Sequence, residues 1–365
     1  MTWTGIRTIM VLELRQRVRA TRWRVMLGIW VAVLILLCGG LAIAVETASP
    51  ENATNEYLLP LYDVVVCFVL GIGLIVAPTL SATSINGDRA DATLALLQAT
   101  ALRSQEIVVG KLLAAWVAAI AFLGVAVPFL VILTVAGGSH WQALVAHLVI
   151  LVFTLGAVCA IGLGFSSLTA RPSASAVLTY IVVAALTVGT PLATAIASSV
   201  VTGTQTEVTY HVDYDKSTDD KIVCQSEPEI ETHEVTRTDR IWWILTPNPF
   251  VALGDATAHA PLQPASAVFG APDSFLSLTG QGIDTMRNPQ PSRVVYNRCE
   301  DRDDSYDGPS SSSTSSDDHG PVAKHLAFWP ASLVALMALG AGGVITASRR
   351  LRVPAGRLPR GVRLA

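Results

Sequence analysis

A chain of 365 residues could hold two or three soluble domains, yet 51% of it is apolar and only 15% is charged, with a mean hydropathy of +0.50. Such a composition excludes a water-soluble globular protein and points to one that lives in a bilayer. The formal net charge of −3 sums segments of opposite sign and says little by itself; no nucleic-acid partner is expected.

Residues 1–24 are basic and helix-prone: Ile6, Met10, Leu14 and Val18 recur at helical spacing, and Glu13 stands four residues before Arg17. A basic helix of this kind also suits binding to anionic lipid. Apolar runs long enough to cross about 30 Å of hydrocarbon follow at 25–45, 62–85, 112–136, 142–167 and 174–200, with another at 326–348. We count six transmembrane helices. No small-residue cleavage site follows the first convincingly, so a retained N-terminal segment is expected rather than a removed signal peptide.

Orientation follows from where short loops carry Lys and Arg. The N-terminal segment has Arg7, Arg15, Arg17, Arg19, Arg22 and Arg24; the tail 349–365 has Arg349, Arg350, Arg352, Arg357, Arg360 and Arg363. Both ends are therefore expected in the cytoplasm. The loop after the second span brings Arg89, Arg103 and Lys111, and the turn after the fourth brings Arg171. The loop after the first span offers Glu46, Glu51 and Glu56 but no base, so it faces outward.

The segment 202–325 is then extracytoplasmic, with roughly 20 acidic against about 9 basic residues. TEVTYHVDY, ETHEVTRTDRIWW and SRVVYNRC alternate β-branched or aromatic residues with polar ones, which predicts a small β-containing insert. IWWILTPNPFVALGDA, at 241–256, is too short and too interrupted by Pro247 and Pro249 to cross alone. It reads as an interfacial or re-entrant element with tryptophans at headgroup level, the other reading being a buried strand or helix of the insert. Residues 308–320, GPSSSSTSSDDHG, have nothing to bury and read as a flexible linker. Cys38, Cys67 and Cys159 fall within spans, where small apolar packing suffices. Cys224 and Cys299 are both in the insert; two cysteines on the oxidising side suggest a disulfide, two free thiols being the alternative.

Chemistry is sparse. The histidines are scattered, with His140 and His147 near one span, and no His-Glu-x-x-His or Cys-x-x-Cys spacing occurs, so neither a metal site nor a catalytic residue is expected. The small residues of Gly162 to Ser166 suit close helix packing rather than a nucleophile elbow. Asp63 stands at the start of an apolar run, beside Tyr62, and is placed at the outer interface.

One polar segment, 86–111, is wedged between two apolar runs. Leu94, Leu97 and Ala101 share a helical face, Asp88 can cap the run, and Ser104 can cap the next helix with Glu106 in its first turn. A plain connecting loop needs neither leucines nor caps. Here the sequence resembles the cytoplasmic loop of ABC-2 type permeases, the membrane subunits of one class of ATP-binding cassette transporters. Asp88, Arg89, Thr93, Leu96, Leu97, Glu106, Gly110 and Lys111 match that loop's pattern. Ala92 and Ala101 depart from it, standing where Gly and Pro are usual. Residues 1–24, with Glu13, Arg15 and Arg17, resemble the interfacial helix of these permeases, and Asn248, Pro249 and Phe250 resemble an element preceding their last span.

The resemblance implies an all-α membrane protein: six transmembrane helices, an N-terminal interfacial helix, and a β-containing extracytoplasmic insert before the last helix. It implies that ATP and Mg²⁺ are bound by separate cytoplasmic ATPase subunits, with no cofactor in this chain, and that the loop 86–111 couples the two. It also implies a second permease copy or paralogue, residence in the plasma membrane of a bacterium, and export of a substrate the residues do not identify. Consistent with this, Gly110-Lys111, the one Gly-Lys pair, lacks the upstream Gly and the following Ser or Thr of a phosphate-binding loop. The reading from another class is a non-transporting membrane sensor or scaffold whose insert binds a ligand or protein; it has no need of the coupling-type loop.

Overall fold

The computed structural model of the chain describes residues 2–48, 58–90, 103–136, 141–213, 216–217, 223–259, 274–289, 291–297 and 325–351. Its first helix, α1 (Trp3–Arg19), ends where Ala20 turns extended, with φ −69° and ψ 125°, and α2 (Thr21–Ala48) begins the first span. Then come α3 (Leu58–Ser81), α4 (Ser84–Ala90), α5 (Ser104–Ala136) and α6 (Trp141–Leu168). The fifth span is α7 (Pro172–Ala184), a π-helical turn (Ala185–Gly189) and α8 (Thr190–Val200). The last is α11 (Trp329–Arg350). Among the described residues six helical segments are long and apolar enough to cross a membrane, as the hydropathy pattern predicts.

Two compact units result. One comprises Met1–Thr190, Thr246–Gln281 and Ala327–Ala365, the other Pro191–Leu245 and Gly282–Leu326. Of the segment 202–325, the described residues 246–259 and 274–281 fall in the unit that holds the spans.

In the first unit, α3, α5 and α6 are the most buried spans, at 56%, 44% and 67%, whereas the first and fifth are only 11% buried. Between apolar helices in lipid, close contact rather than water exclusion supplies the attraction, so small residues mark the tightest crossings. A Cβ on Gly164 would stand 2.7 Å from Gly343 Cα, and one on Gly340 would stand 3.2 Å from Ala157 Cα; these glycines bring α6 and α11 into backbone contact. The expected packing role of Gly162 and Gly164 is therefore found. Trp30 fastens α2 by stacking on Phe68 and Phe122, at 5.9 and 4.7 Å, and by donating Nε1–H to the Phe122 carbonyl at 3.1 Å.

The second unit holds a three-stranded sheet in the order β2-β1-β3, formed by β1 (Thr202–Tyr210), β2 (Glu229–Thr236) and β3 (Arg293–Asn297). Each strand overlaps a stretch where alternation predicts one: β3 lies inside SRVVYNRC, whereas β1 begins at Thr202, before TEVTYHVDY, and β2 at Glu229, before ETHEVTRTDRIWW. β1 pairs antiparallel with β2, setting Val208 opposite Ile230, and parallel with β3, setting Val208 opposite Val295. Cys38, Cys67 and Cys159 are free thiols, whereas Cys224 is disulfide-bonded; Cys299, its expected partner, lies outside the described residues, as does the linker 308–320.

Residues 241–256 hold a short turn followed by a largely buried helix. Trp242–Leu245 is a short 3₁₀ turn, and α9 (Pro249–Ala258) follows with seven of its ten residues buried. α10 (Phe275–Arg287) completes the helices.

Candidate functional site

Sequence and backbone together build a charged joint where α1 meets α4 and the start of α5. Lys111 is the largest fully buried side chain of the described residues. Its ammonium pairs with the carboxylates of Glu13, on α1, and Asp88, on α4, the latter at 2.6 Å, and donates to the Ser84 carbonyl at 3.2 Å. One cation thereby ties three helices. A buried ammonium is tolerated only when such partners replace its hydration.

The contact with α1 is set by Gly110. A Cβ there would lie 2.7 Å from Ile9 Cβ and 3.0 Å from the Ile6 carbonyl oxygen, so only glycine lets α1 approach this closely. The face that α1 buries is Gly5, Ile6 and Ile9. Of the four residues expected at helical spacing, Ile6 is buried, Met10 and Leu14 are half-buried, and Val18 is exposed.

Glu106 closes the other end of α1. Its Oε1 accepts from the Thr2 N–H at 2.6 Å and the Thr2 hydroxyl at 3.1 Å, and its Oε2 accepts from the Arg103 N–H at 3.1 Å. The carboxylate thus caps α5 from its third position and also sits against the N-terminal amide of α1, where the helix dipole favours negative charge. Sequence reasoning placed that cap on Ser104, but Ser104 is the first helical residue and Glu106 does the capping. Asp88 lies inside α4 and serves as an ion-pair partner of Lys111; the run it was expected to cap lies outside the described residues.

Arg17 donates to the Leu80 carbonyl in the last turn of α3, at 2.8 Å, where helical carbonyls lack partners and a cation is favoured. Burial pushes its guanidinium below its ordinary range, and the neighbouring Glu13 carboxylate acts in the opposite direction. Arg15 is exposed and Arg89 half-buried. Thr93, Leu96 and Leu97 lie outside the described residues. Of the residues singled out from sequence, the structure therefore gathers Glu13, Arg17, Asp88, Glu106, Gly110 and Lys111.

Two serines escaped sequence reasoning. Ser166 Oγ accepts from the Ile85 and Asn86 amides at 3.0 and 3.1 Å, and Ser175 donates to the Ala82 carbonyl at 2.6 Å. They satisfy the backbone where α3 breaks into α4. A serine on a distant helix carries no local signal of that task.

At the opposite end of the bundle the contacts of His147 are neutral. His147 is fully buried; its Nε2 lies 3.2 Å from the Leu253 carbonyl and 3.0 Å from Thr257 Oγ1, and its Nδ1 lies 2.8 Å from the Tyr62 hydroxyl. Because a carbonyl can only accept, we assign the ring proton to Nε2, leaving Nδ1 to accept from Tyr62. Asn248 caps α9 by accepting from the Phe250 amide at 2.9 Å, and donates to the Thr187 carbonyl at 3.0 Å. That carbonyl belongs to the π-helical turn, whose wider winding releases backbone groups. Asp255 accepts from the Phe328 and Trp329 amides, both at 2.8 Å, at the start of α11. Asp63, expected at an interface, is buried and accepts from the Leu276 amide at 2.8 Å. No cluster of three or more potential metal ligands occurs among the described residues.

Residues 7–219 match the family model of the ABC-2 family transporter protein. The chain belongs to the ABC-2 transporter family. The match runs from α1 through the fifth span into the sheet and so includes the whole charged joint. No curated protein and no solved structure matches the chain. The ABC-2 membership makes it a multi-pass membrane component of an ABC transporter.

Proposed function

We propose that the chain is the permease subunit of an ATP-driven exporter in a bacterial plasma membrane, with both termini cytoplasmic. In this reading separate ATPase subunits bind ATP and Mg²⁺ and dock at α1 and the coupling loop 86–111, and the Glu13–Lys111–Asp88 joint carries their motion into the spans. The observation that supports it best is Lys111: one buried cation binds the surface helix, the end of the second span and the start of the third. A pull on any one of these elements must therefore be felt by the other two. The arginines concentrated at that end agree with a cytoplasmic face. The first and fifth spans, each 11% buried, leave apolar surface for a second permease copy or paralogue.

The test replaces Glu13, Asp88 and Lys111 together by Gln, Asn and Met, which avoids stranding a lone buried charge. In the reconstituted complex, the triple variant is expected to bind the ATPase yet lose the permease-dependent stimulation of ATP hydrolysis and substrate efflux. Full stimulation by a well-folded triple variant would refute the coupling role. Efflux from, rather than uptake into, right-side-out vesicles checks the direction separately.

A further inference from the structure

The described spans leave one open groove whose chemistry is uniform. It has a volume of about 240 Å³ and runs between α6, α7 and α11, walled by Phe165, Leu168, Val182, Leu339, Gly342 and Thr346. The hydroxyl of Thr346 donates to the Gly342 carbonyl at 2.7 Å, so its proton is spent and none of these side chains has a donor left for an occupant. Only a hydrocarbon chain suits such a wall. Gly342 has no atom within 4 Å of where its Cβ would be, and Leu168 and Leu339 are 47% and 48% exposed, so the groove opens outward from the helix bundle.

One end of the groove is basic. Arg349 and Arg350 close α11 one turn beyond Thr346, and Arg171 immediately precedes α7, three residues beyond Leu168. All three are exposed. Among the described residues the carboxylates at this end are engaged elsewhere: Glu13 and Asp88 on Lys111, and Glu106 on the Thr2 and Arg103 amides. Apolar wall and arginine rim follow one another along the same helices, in the order in which a phospholipid presents chain and phosphate.

We propose that this groove is a binding site for an anionic phospholipid of the adjacent leaflet, with one acyl chain lying along α11 and the headgroup phosphate held by Arg171, Arg349 and Arg350. The bound lipid fills the cleft between the fifth and sixth spans and so tethers the weakly buried fifth span to the core. The site does not depend on the direction of transport or on the ATPase.

Lipid retention by the purified full-length chain, measured by native mass spectrometry during delipidation and re-addition of phosphatidylglycerol or phosphatidylcholine, tests the proposal. One phosphatidylglycerol per chain is expected to persist. Gly342→Phe fills the groove without touching the α6 contacts of Gly340 and Gly343, and should abolish that adduct. The Arg171→Gln, Arg349→Gln, Arg350→Gln variant should weaken it by roughly a hundredfold, each arginine near a surface contributing about one tenfold step at most. Excess inorganic phosphate should leave the adduct in place, since it has no chain for the groove. Undiminished adducts in the Gly342→Phe chain, equal retention of phosphatidylcholine, or displacement by inorganic phosphate would each overturn the proposal. So would spontaneous chain-to-chain disulfide formation by a Gly342→Cys variant, which would make a second copy the occupant.

Discussion

The two ends of the spanning bundle are stitched by different chemistry. Around Lys111 the fastening is ionic, with one ammonium between two carboxylates that retain some exposure, 16% for Glu13 and 25% for Asp88. Around His147 the fastening is neutral: an imidazole bonded to a phenol and a carbonyl, with amide caps supplied by Asn248 beside it. A charge cluster is sustainable where its outer members reach water or headgroups, whereas the buried imidazole of His147 needs no counter-charge once its hydrogen bonds are met. The ionic end concentrates its strength in one side chain; the neutral end spreads it over many bonds of modest worth.

That contrast sets an order of expected effects. Lys111→Met should be the most damaging single change at either end, costing about 3–5 kcal/mol because two carboxylates lose their buried cation. Thermal unfolding in detergent measures it, and adding Glu13→Gln should recover part of the loss. Gly110→Leu should cost about 1–3 kcal/mol by overpacking against Ile9, and it should also free α1 from α5, read as faster hydrogen exchange over Trp3–Arg19. At the neutral end, His147→Leu should cost about 1–3 kcal/mol by stranding the Tyr62 hydroxyl and the Leu253 carbonyl. Tyr62→Phe, which leaves only the imidazole short of a partner, should cost less in the same assay.

Asn248→Ala should lower stability by about 1 kcal/mol through the lost cap of α9, with proteolysis between the fifth span and α9 as a second readout. Arg15→Gln, on the exposed face of α1, should stay within about 0.5 kcal/mol of the parent. An Arg15→Gln effect as large as that of Lys111→Met would erase the distinction between a buried joint and a solvated basic face.

The spans were legible because hydrocarbon imposes a length and an apolar run that no other environment demands, and the strands because β-branched alternation survives even in a short insert. The ionic joint was half legible. Glu106, Gly110 and Lys111 stood out as a pattern and Glu13 as a charge, yet nothing local says that Lys111 sits between Glu13 and Asp88, which are 98 and 23 positions away in the chain. The cap at Glu106 was misassigned to Ser104 because a serine before a helix is the commoner device; only the fold shows the carboxylate reaching back to Arg103. The network of Tyr62, His147 and Thr257 was illegible, since each residue alone is unremarkable in an apolar run and their meeting depends on how α9 lies against α6.

The close approach at Gly110 has a mechanical consequence. α5 has 33 residues, a rod of about 50 Å at 1.5 Å per residue, and α1 is fixed to it within its first two turns. A tilt of only about 5° would therefore carry the far end of such a rod through roughly 4 Å, so under the proposed coupling the helix would serve as a lever gripped at its α1 end. Pro128, inside the same helix, withholds the hydrogen bond that would otherwise reach the Gly124 carbonyl. The lever is stiff from its handle for most of its length and has a soft joint near its tip, which lets the last turns settle against their neighbours while the shaft moves.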